Sequence, residues 1–263
     1  SVWLRLTSVV SDESEARDIA EHLWIMSEKV SQSSNQLKNF IASKSSVIST
    51  NNNWQDSYRP ALSRGIELVH SGELEKLVLA VKQSVVLQNS FDPLKMLFNL
   101  RYQQSCSCRF LWKTNKQKSF FGASPERLVS ITAGQVRSDA LAGTAHRDDD
   151  GENLLKSEKN LREHQLVVSS ITKEFVTQGL EPLIPRGPQL VKQGHLIHLH
   201  TPIVSSFKGK SPLHLVGALH PTPAVAGLPR KKALNWLRAL EPFERGGYAA
   251  PIGWIDIDGN AEF

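Results

Sequence analysis

A chain of 263 residues, 40% hydrophobic and 22% charged, is long enough for one large or two modest cores and too apolar to be disordered. Its net charge of +5 comes from Lys and Arg scattered without a basic run, a zinc module or an interleaved aromatic platform, so a solvated basic surface is a better reading than a nucleic-acid partner. No apolar run approaches the ~20 residues that span a bilayer, so no membrane-spanning helix is expected.

In chain order, Val2 to Val10 alternates as a strand does, and Glu13 to about Ile41 carries a helical apolar pattern. The Ser- and Asn-rich stretch from Ser43 to Gln55 reads as a loop, which sets an N-terminal strand-helix segment with linker at 1–53 and a main domain at 54–263. A helix is predicted through Ala61 to Ser71, then a strand from Leu77 to Leu87. Asp92-Pro93 reads as an N-cap with Pro at the first helical position, opening a helix to about Tyr102. Short strands follow over 109–113, 119–122, 127–132 and 136–140, an antiparallel meander rather than βαβ repetition. One long helix is expected from about Gly151 to Gln178. Cys106 and Cys108 lie too close for an ordinary bridge across strands and lack companions for zinc, so both are read as free thiols in a reducing compartment. The start at Ser1-Val2-Trp3 has neither an initiator Met nor a signal-type apolar core, so a processed product or a piece of something longer is expected.

Three positions carry candidate chemistry. Phe121-Gly122-Ala123-Ser124-Pro125-Glu126-Arg127-Leu128 puts Glu126 in a tight turn between apolar strands, where Gly122 can take positive φ and Pro125 freezes its own. Such a Glu is either a surface residue on a connecting turn or an acid aimed into a cleft. Lys76, at the entry to Leu77-Val78-Leu79-Ala80-Val81, either snorkels to solvent or is a desolvated amine that activates water as a base. On the long helix Asn160, Glu163, His164, Val167 and Ile171 share a face, so Glu163 is a cleft ligand or a solvated flank. His198 and His200 share a strand face, but no Asp, Glu or Cys accompanies them in a zinc-like spacing. Gly209-Lys210-Ser211 is a turn and not a phosphate loop, because Val204 stands at the first Gly position.

Taken together, Lys76 to Ala80, Phe121 to Leu128, Leu141-Ala142-Gly143-Thr144, Ser157 to His164, His198-Leu199-His200-Thr201-Pro202 and His220-Pro221-Thr222-Pro223-Ala224 are six ordered motifs. They resemble the chorismate-utilising enzymes, the group containing isochorismate synthase, salicylate synthase and anthranilate synthase. The resemblance covers about the last two hundred residues. It implies an α+β fold with large, mostly antiparallel sheets packed together, helices outside and a cleft between sheet halves. It also implies chorismate, a small dicarboxylate, as substrate, with Lys76 as base and Glu126 as acid. By the same resemblance Glu163 holds Mg²⁺ against the substrate carboxylate, and Gly143, Thr144, His198 and Ala224 shape the pocket; His200 has no role in it. Magnesium takes hard oxygen ligands and keeps waters, so few protein carboxylates suffice. Ala224 is the form that resembles isochorismate synthases, since it leaves room for water and offers no hydroxyl to assist elimination.

The sequence departs from the family pattern at Val81, where Arg is usual, and at Asn160, where an acidic residue is common. It also stops at Ala261-Glu262-Phe263, before the family's carboxylate-clamping Arg and second metal Glu. That truncation is similar to the isochorismate-synthase-like modules of plant multifunctional proteins of phylloquinone biosynthesis. The similarity implies a plastid setting, other domains as partners, and either an active isomerase or a vestigial docking module.

Overall fold

The computed structural model describes Glu21, Ile25, residues 47–50 and residues 54–263, apart from 89–91, 105–106, 114–117, 149–150 and 209–210. The chain divides into two compact units, Ser1–Ser45 and Ser46–Phe263. The predicted strand over 2–10 lies outside the described residues, as do Cys106, Gly209, Lys210 and nearly all of the predicted helix over 13–41, of which Glu21 and Ile25 are helical.

The second unit runs β1 (Val47–Thr50), α1 (Trp54–His70), β2 (Lys76–Leu77), β3 (Val85–Leu87), α2 (Pro93–Gln103), β4 (Cys108–Lys113) and β5 (Ser119–Ser124). It continues through β6 (Ser130–Thr132), β7 (Gln135–His146), α3 (Gly151–Lys156), α4 (Glu158–Thr177), β8 (Gln189–Gln193) and β9 (Leu196–Ser206). It closes with α5 (Pro212–Leu219), β10 (Gly227–Leu228), α6 (Arg230–Leu240), β11 (Trp254–Ile255) and β12 (Ala261–Glu262). One six-stranded sheet has the order β11-β12-β6-β7-β9-β8, and β1-β3, β2-β10 and β4-β5 form two-stranded ladders. Every ladder is antiparallel, so the α+β expectation holds.

The core follows from period two meeting period 3.6. Val136, Ala140 and Ala142 of β7 and Ile203 of β9 point to one face of the sheet, where α4 lays down Val167, Val168, Ile171 and Phe175. Phe175, Val136, Ala140 and Ile203 are fully buried. A second cluster, Leu68, Leu74 and Ala233 with Leu77 packed on it, joins α1, β2 and α6.

Four elements differ from the sequence expectation. The predicted linker contains β1, because the β-branched run Val47-Ile48-Ser49-Thr50 pairs with β3. Helix α1 begins at Trp54, ahead of Pro60, with the rings of Trp54 and Tyr58 5.9 Å apart in its first turns. The predicted strand over 77–87 breaks into β2 and β3, because past Val78 the Glu241 carboxylate takes the place of a ladder partner and accepts from the Ala80 amide at 2.8 Å. The long helix breaks at Ser157, which leaves helical geometry to cap α4 and accepts from the Asn160 amide at 3.4 Å. Asp92 caps α2 as expected, accepting from the Leu94 amide at 3.0 Å.

Gly227 of β10 pairs with Leu77 of β2. Its φ is +151°, and a Cβ there would run into the carbonyl oxygen of Lys76. The variant Gly227→Ala is expected to lose about 2–3 kcal/mol or more in urea unfolding through backbone strain and clash; unchanged stability would show that the two segments are free to separate.

Candidate active site

Lys76 opens β2 opposite Leu228. Because Leu77 packs into the Leu68–Leu74–Ala233 cluster, alternation turns the Lys76 side chain the other way. It is largely shielded from solvent: the side chain is 11% exposed, and Nζ lies 2.9 Å from Oε1 of Glu163.

Glu163 owes its place to its neighbour. His164 is buried and binds both central strands, at 3.2 Å from Nδ1 to the Ala142 carbonyl and 2.7 Å from Nε2 to the Thr201 hydroxyl. A carbonyl only accepts, so Nδ1 carries the proton and Nε2 accepts from Thr201. Burial holds this imidazole below its usual pKa against the pull of the Ala142 bond, which keeps that neutral tautomer in place. With His164 fixed, Glu163 emerges at the edge of the buried stripe with its side chain 38% exposed.

Glu126 follows β5 after Pro125. Burial pushes its carboxyl up to about 7, against the lowering effects of the Lys76 charge and of the Thr222 hydroxyl, which donates to Oε1 at 3.5 Å. An acid that is protonated close to neutrality can donate a proton to a leaving hydroxyl. Thr222 is itself buried, and its hydroxyl and carbonyl accept from the amides of Ala224, Val225 and Ala226 at 3.3, 3.2 and 3.1 Å. Ala224 is half-buried against the main core.

Gly143 sits in a β-bulge of β7 with φ +79°; a Cβ there would come within 3.1 Å of Leu199 and 3.4 Å of Asn160. Asn160 is three residues before Glu163 on α4, so the bulge and Lys76 meet the same helix stripe. Thr144 and His198, opposite each other across the ladder, bond each other at 2.9 Å between Oγ1 and Nδ1. Burial holds His198 below its usual pKa, against the raising effect of the Gly143 backbone.

The structure therefore brings Lys76, Glu163 and Glu126 together, adds Thr222, and sets Gly143, Thr144 and His198 along the adjoining strands. His200 belongs to a separate network. Its Nε2 lies 3.0 Å from Asp139, which also accepts from Arg137 at 2.8 Å and Arg127 at 3.3 Å. Burial works against the Asp139 anion, but the bonds from His200 and Arg137 outweigh it and hold the carboxyl below its usual range. Arg127 also donates to Glu262 at 3.0 and 3.1 Å, and Leu128 donates to the Phe263 carbonyl at 2.9 Å, so β12 braces the segment that carries Glu126. Thr222 could have been singled out from the His-Pro-Thr-Pro string; the Asp139 network leaves little local signal, since apart from Arg137, two positions away, its bonds join residues 12 to 135 positions apart.

For a hard cation, Glu163 supplies a partly exposed carboxylate of which Lys76 engages one oxygen. Among the described residues no group of three or more His, Cys, Asp or Glu is gathered. A magnesium ion fits this donor only with water and substrate oxygens filling its remaining positions.

The raised Glu126 carboxyl makes a pH prediction. Its folded state binds the proton more tightly than the unfolded chain, so its stabilisation is complete below the ordinary value of 4.5 and is lost as pH rises through about 7. The difference in unfolding free energy between the protein and Glu126→Gln is expected to fall by about 3 kcal/mol across that window. A pH-independent difference would mean an ordinary carboxyl.

The family model described as chorismate binding enzyme matches residues 1–263. The isochorismate synthase MenF of Bacillus subtilis is 38% identical over 217 residues, 80% of this chain and 46% of that protein. The salicylate biosynthesis isochorismate synthase of Pseudomonas aeruginosa is 40% identical over 215 residues, 77% of this chain and 44% of that protein. Among solved structures, MenF, the menaquinone-specific isochorismate synthase of Escherichia coli, superposes with a TM-score of 0.74 at 25% identity over 88% of this chain and 57% of that one. The chain thus spans about half the length of the relatives it matches. With the family model matching residues 1–263, the chain belongs to the chorismate binding enzymes.

Proposed function

We propose that the chain carries isochorismate synthase chemistry, the conversion of chorismate to isochorismate. The observation that carries the proposal is the cleft trio: an amine and a carboxylate paired at 2.9 Å, beside a second carboxyl pushed up to about 7. Water adds at ring carbon 2 while the hydroxyl at carbon 4 leaves, so the reaction needs one group to take a proton and another to give one. Lys76 takes the proton of the attacking water as the neutral amine, after its pair with Glu163 has opened and the ammonium has released a proton to solvent. Glu126 gives its proton to the leaving hydroxyl. Glu163 is the residue proposed to hold Mg²⁺, which when bound supplies positive charge for the substrate carboxylate. Ala224 leaves volume for the water, and Gly143, Thr144 and His198 line the adjoining strands as substrate contacts.

The relatives support this branch of the family, since both curated proteins bear the name isochorismate synthase. Phylloquinone, menaquinone or salicylate synthesis is the proposed setting, within a multifunctional plastid protein if the chain is from a plant. A second reading, a module without turnover that is kept for contacts inside a larger protein, draws on the lack of any group of three or more His, Cys, Asp or Glu among the described residues.

Calorimetric titration of chorismate with and without Mg²⁺, with chromatography of the products, separates the two readings. Magnesium-dependent binding with isochorismate appearing, lost by about 10²-fold or more in Lys76→Ala and Glu126→Gln, is expected for the enzyme. A folded chain that binds no chorismate would leave the module. Glu163→Gln is expected to abolish the magnesium dependence of binding and to leave the fold intact.

A further inference from the structure

Building on that functional reading, we propose that the buried ion pair of Glu241 and Arg245 is a positioning device that fixes the spacing between the Lys76 amine and the Glu126 carboxyl. Neither residue belongs to the cleft trio, and both lie beyond the end of α6. Their side chains are 4% and 18% exposed. The Arg245 guanidinium donates from Nε to Glu241 at 2.7 Å, to the Val225 carbonyl at 2.7 Å and to the Val78 carbonyl at 2.8 Å. Glu241 also accepts from the Ala80 amide at 2.8 Å.

One planar fork thus grips two separate segments. Val78 is two residues beyond Lys76. Val225 follows Ala224 in the turn whose Thr222 hydroxyl reaches Glu126. The ladder between these segments covers only Lys76↔Leu228 and Gly227↔Leu77, continued by the Val78 amide to the Ala226 carbonyl at 2.8 Å. Beyond it, the Arg245 side chain touches both the base strand and the acid-holding turn. A lysine would keep the charge but, as a point donor on a flexible stem, could not reproduce the fork.

Arg245→Lys leaves Glu241 paired, so it is the first variant to test; the double variant Glu241→Met with Arg245→Met removes both charges and avoids an unpaired buried carboxylate. Two quantities are read in each folded variant: the Glu126 titration midpoint, from ¹³C carboxyl spectra assigned with Glu126→Gln, and kcat and KM for chorismate. A positioning role predicts native helix content, a midpoint moving up from about 7 as the Lys76 charge and the Thr222 hydroxyl draw away from Glu126, and kcat lower by about 10²-fold with KM within about 3-fold. An unchanged midpoint and kcat in folded Arg245→Lys would overturn the proposal. So would loss of the fold in both variants, which would make the pair purely structural. If the unmutated chain converts no chorismate, the functional reading fails and the midpoint alone decides the role of the pair.

Discussion

The site depends on one buried imidazole. His164 is the point at which α4 is bonded to both long strands, and neither bond is open to replacement by water, because the ring is enclosed and held neutral by burial. The helix can therefore neither roll nor slide against the sheet without leaving a buried donor or acceptor unmet. Glu163 inherits that rigidity one position away, and Lys76 is held by Glu163 in turn. Packing of Val167, Ile171 and Phe175 supplies the bulk attraction, but apolar contact is non-directional; the two His164 bonds choose the rotation.

Around that anchor the charges fall into two separate groups. In the cleft, the Lys76–Glu163 pair is close to neutral as a unit, and Glu126 beside it resists ionising because it is buried. In the second group, Asp139 gathers His200, Arg137 and Arg127, and Arg127 passes the connection on to Glu262 of β12. This second group is a brace: it uses an ionised carboxylate to fasten strands, whereas the first keeps a carboxyl available for proton transfer. Opposite demands on two carboxyls are met by opposite surroundings, one rich in donors and one poor.

Much of the site could be read from the sequence because its motifs are short and local. The Glu163-His164 step and the cap at Asp92 each follow from residues within a few positions of one another, whereas Gly122, expected in the turn before Glu126, lies inside β5 opposite Phe110 without a positive φ, because the strand runs on to Ser124. Boundaries were less legible, and for identifiable reasons. Ser157 ends a helix that periodicity alone would continue, because its hydroxyl satisfies the amide of Asn160. The strand after Lys76 is cut short by the carboxylate of Glu241, 161 positions from Ala80, and no window of sequence contains both partners. Distance likewise hid the bond from Arg245 to the Val78 carbonyl, 167 positions away, although its partner Glu241 is only four positions off. The pattern within Ser43 to Gln55 was overruled by a β-branched run too short to stand out from its polar surroundings.

The bulge at Gly143 reverses the parity of β7. Asp139 and Leu141 lie opposite Pro202 and His200, whereas Thr144, an even number, lies opposite His198 on the same side. The strand is therefore two arms joined at a phase change. The arm before it is committed to the Asp139 brace, and a substitution there risks the architecture. The arm after it carries Thr144 at an exposed position, its side chain bonded sideways to His198, while Ala145 beside it packs on Leu154, Ile197 and Leu199. A change of side chain at Thr144 therefore alters the exposed face of the strand without entering a buried cluster.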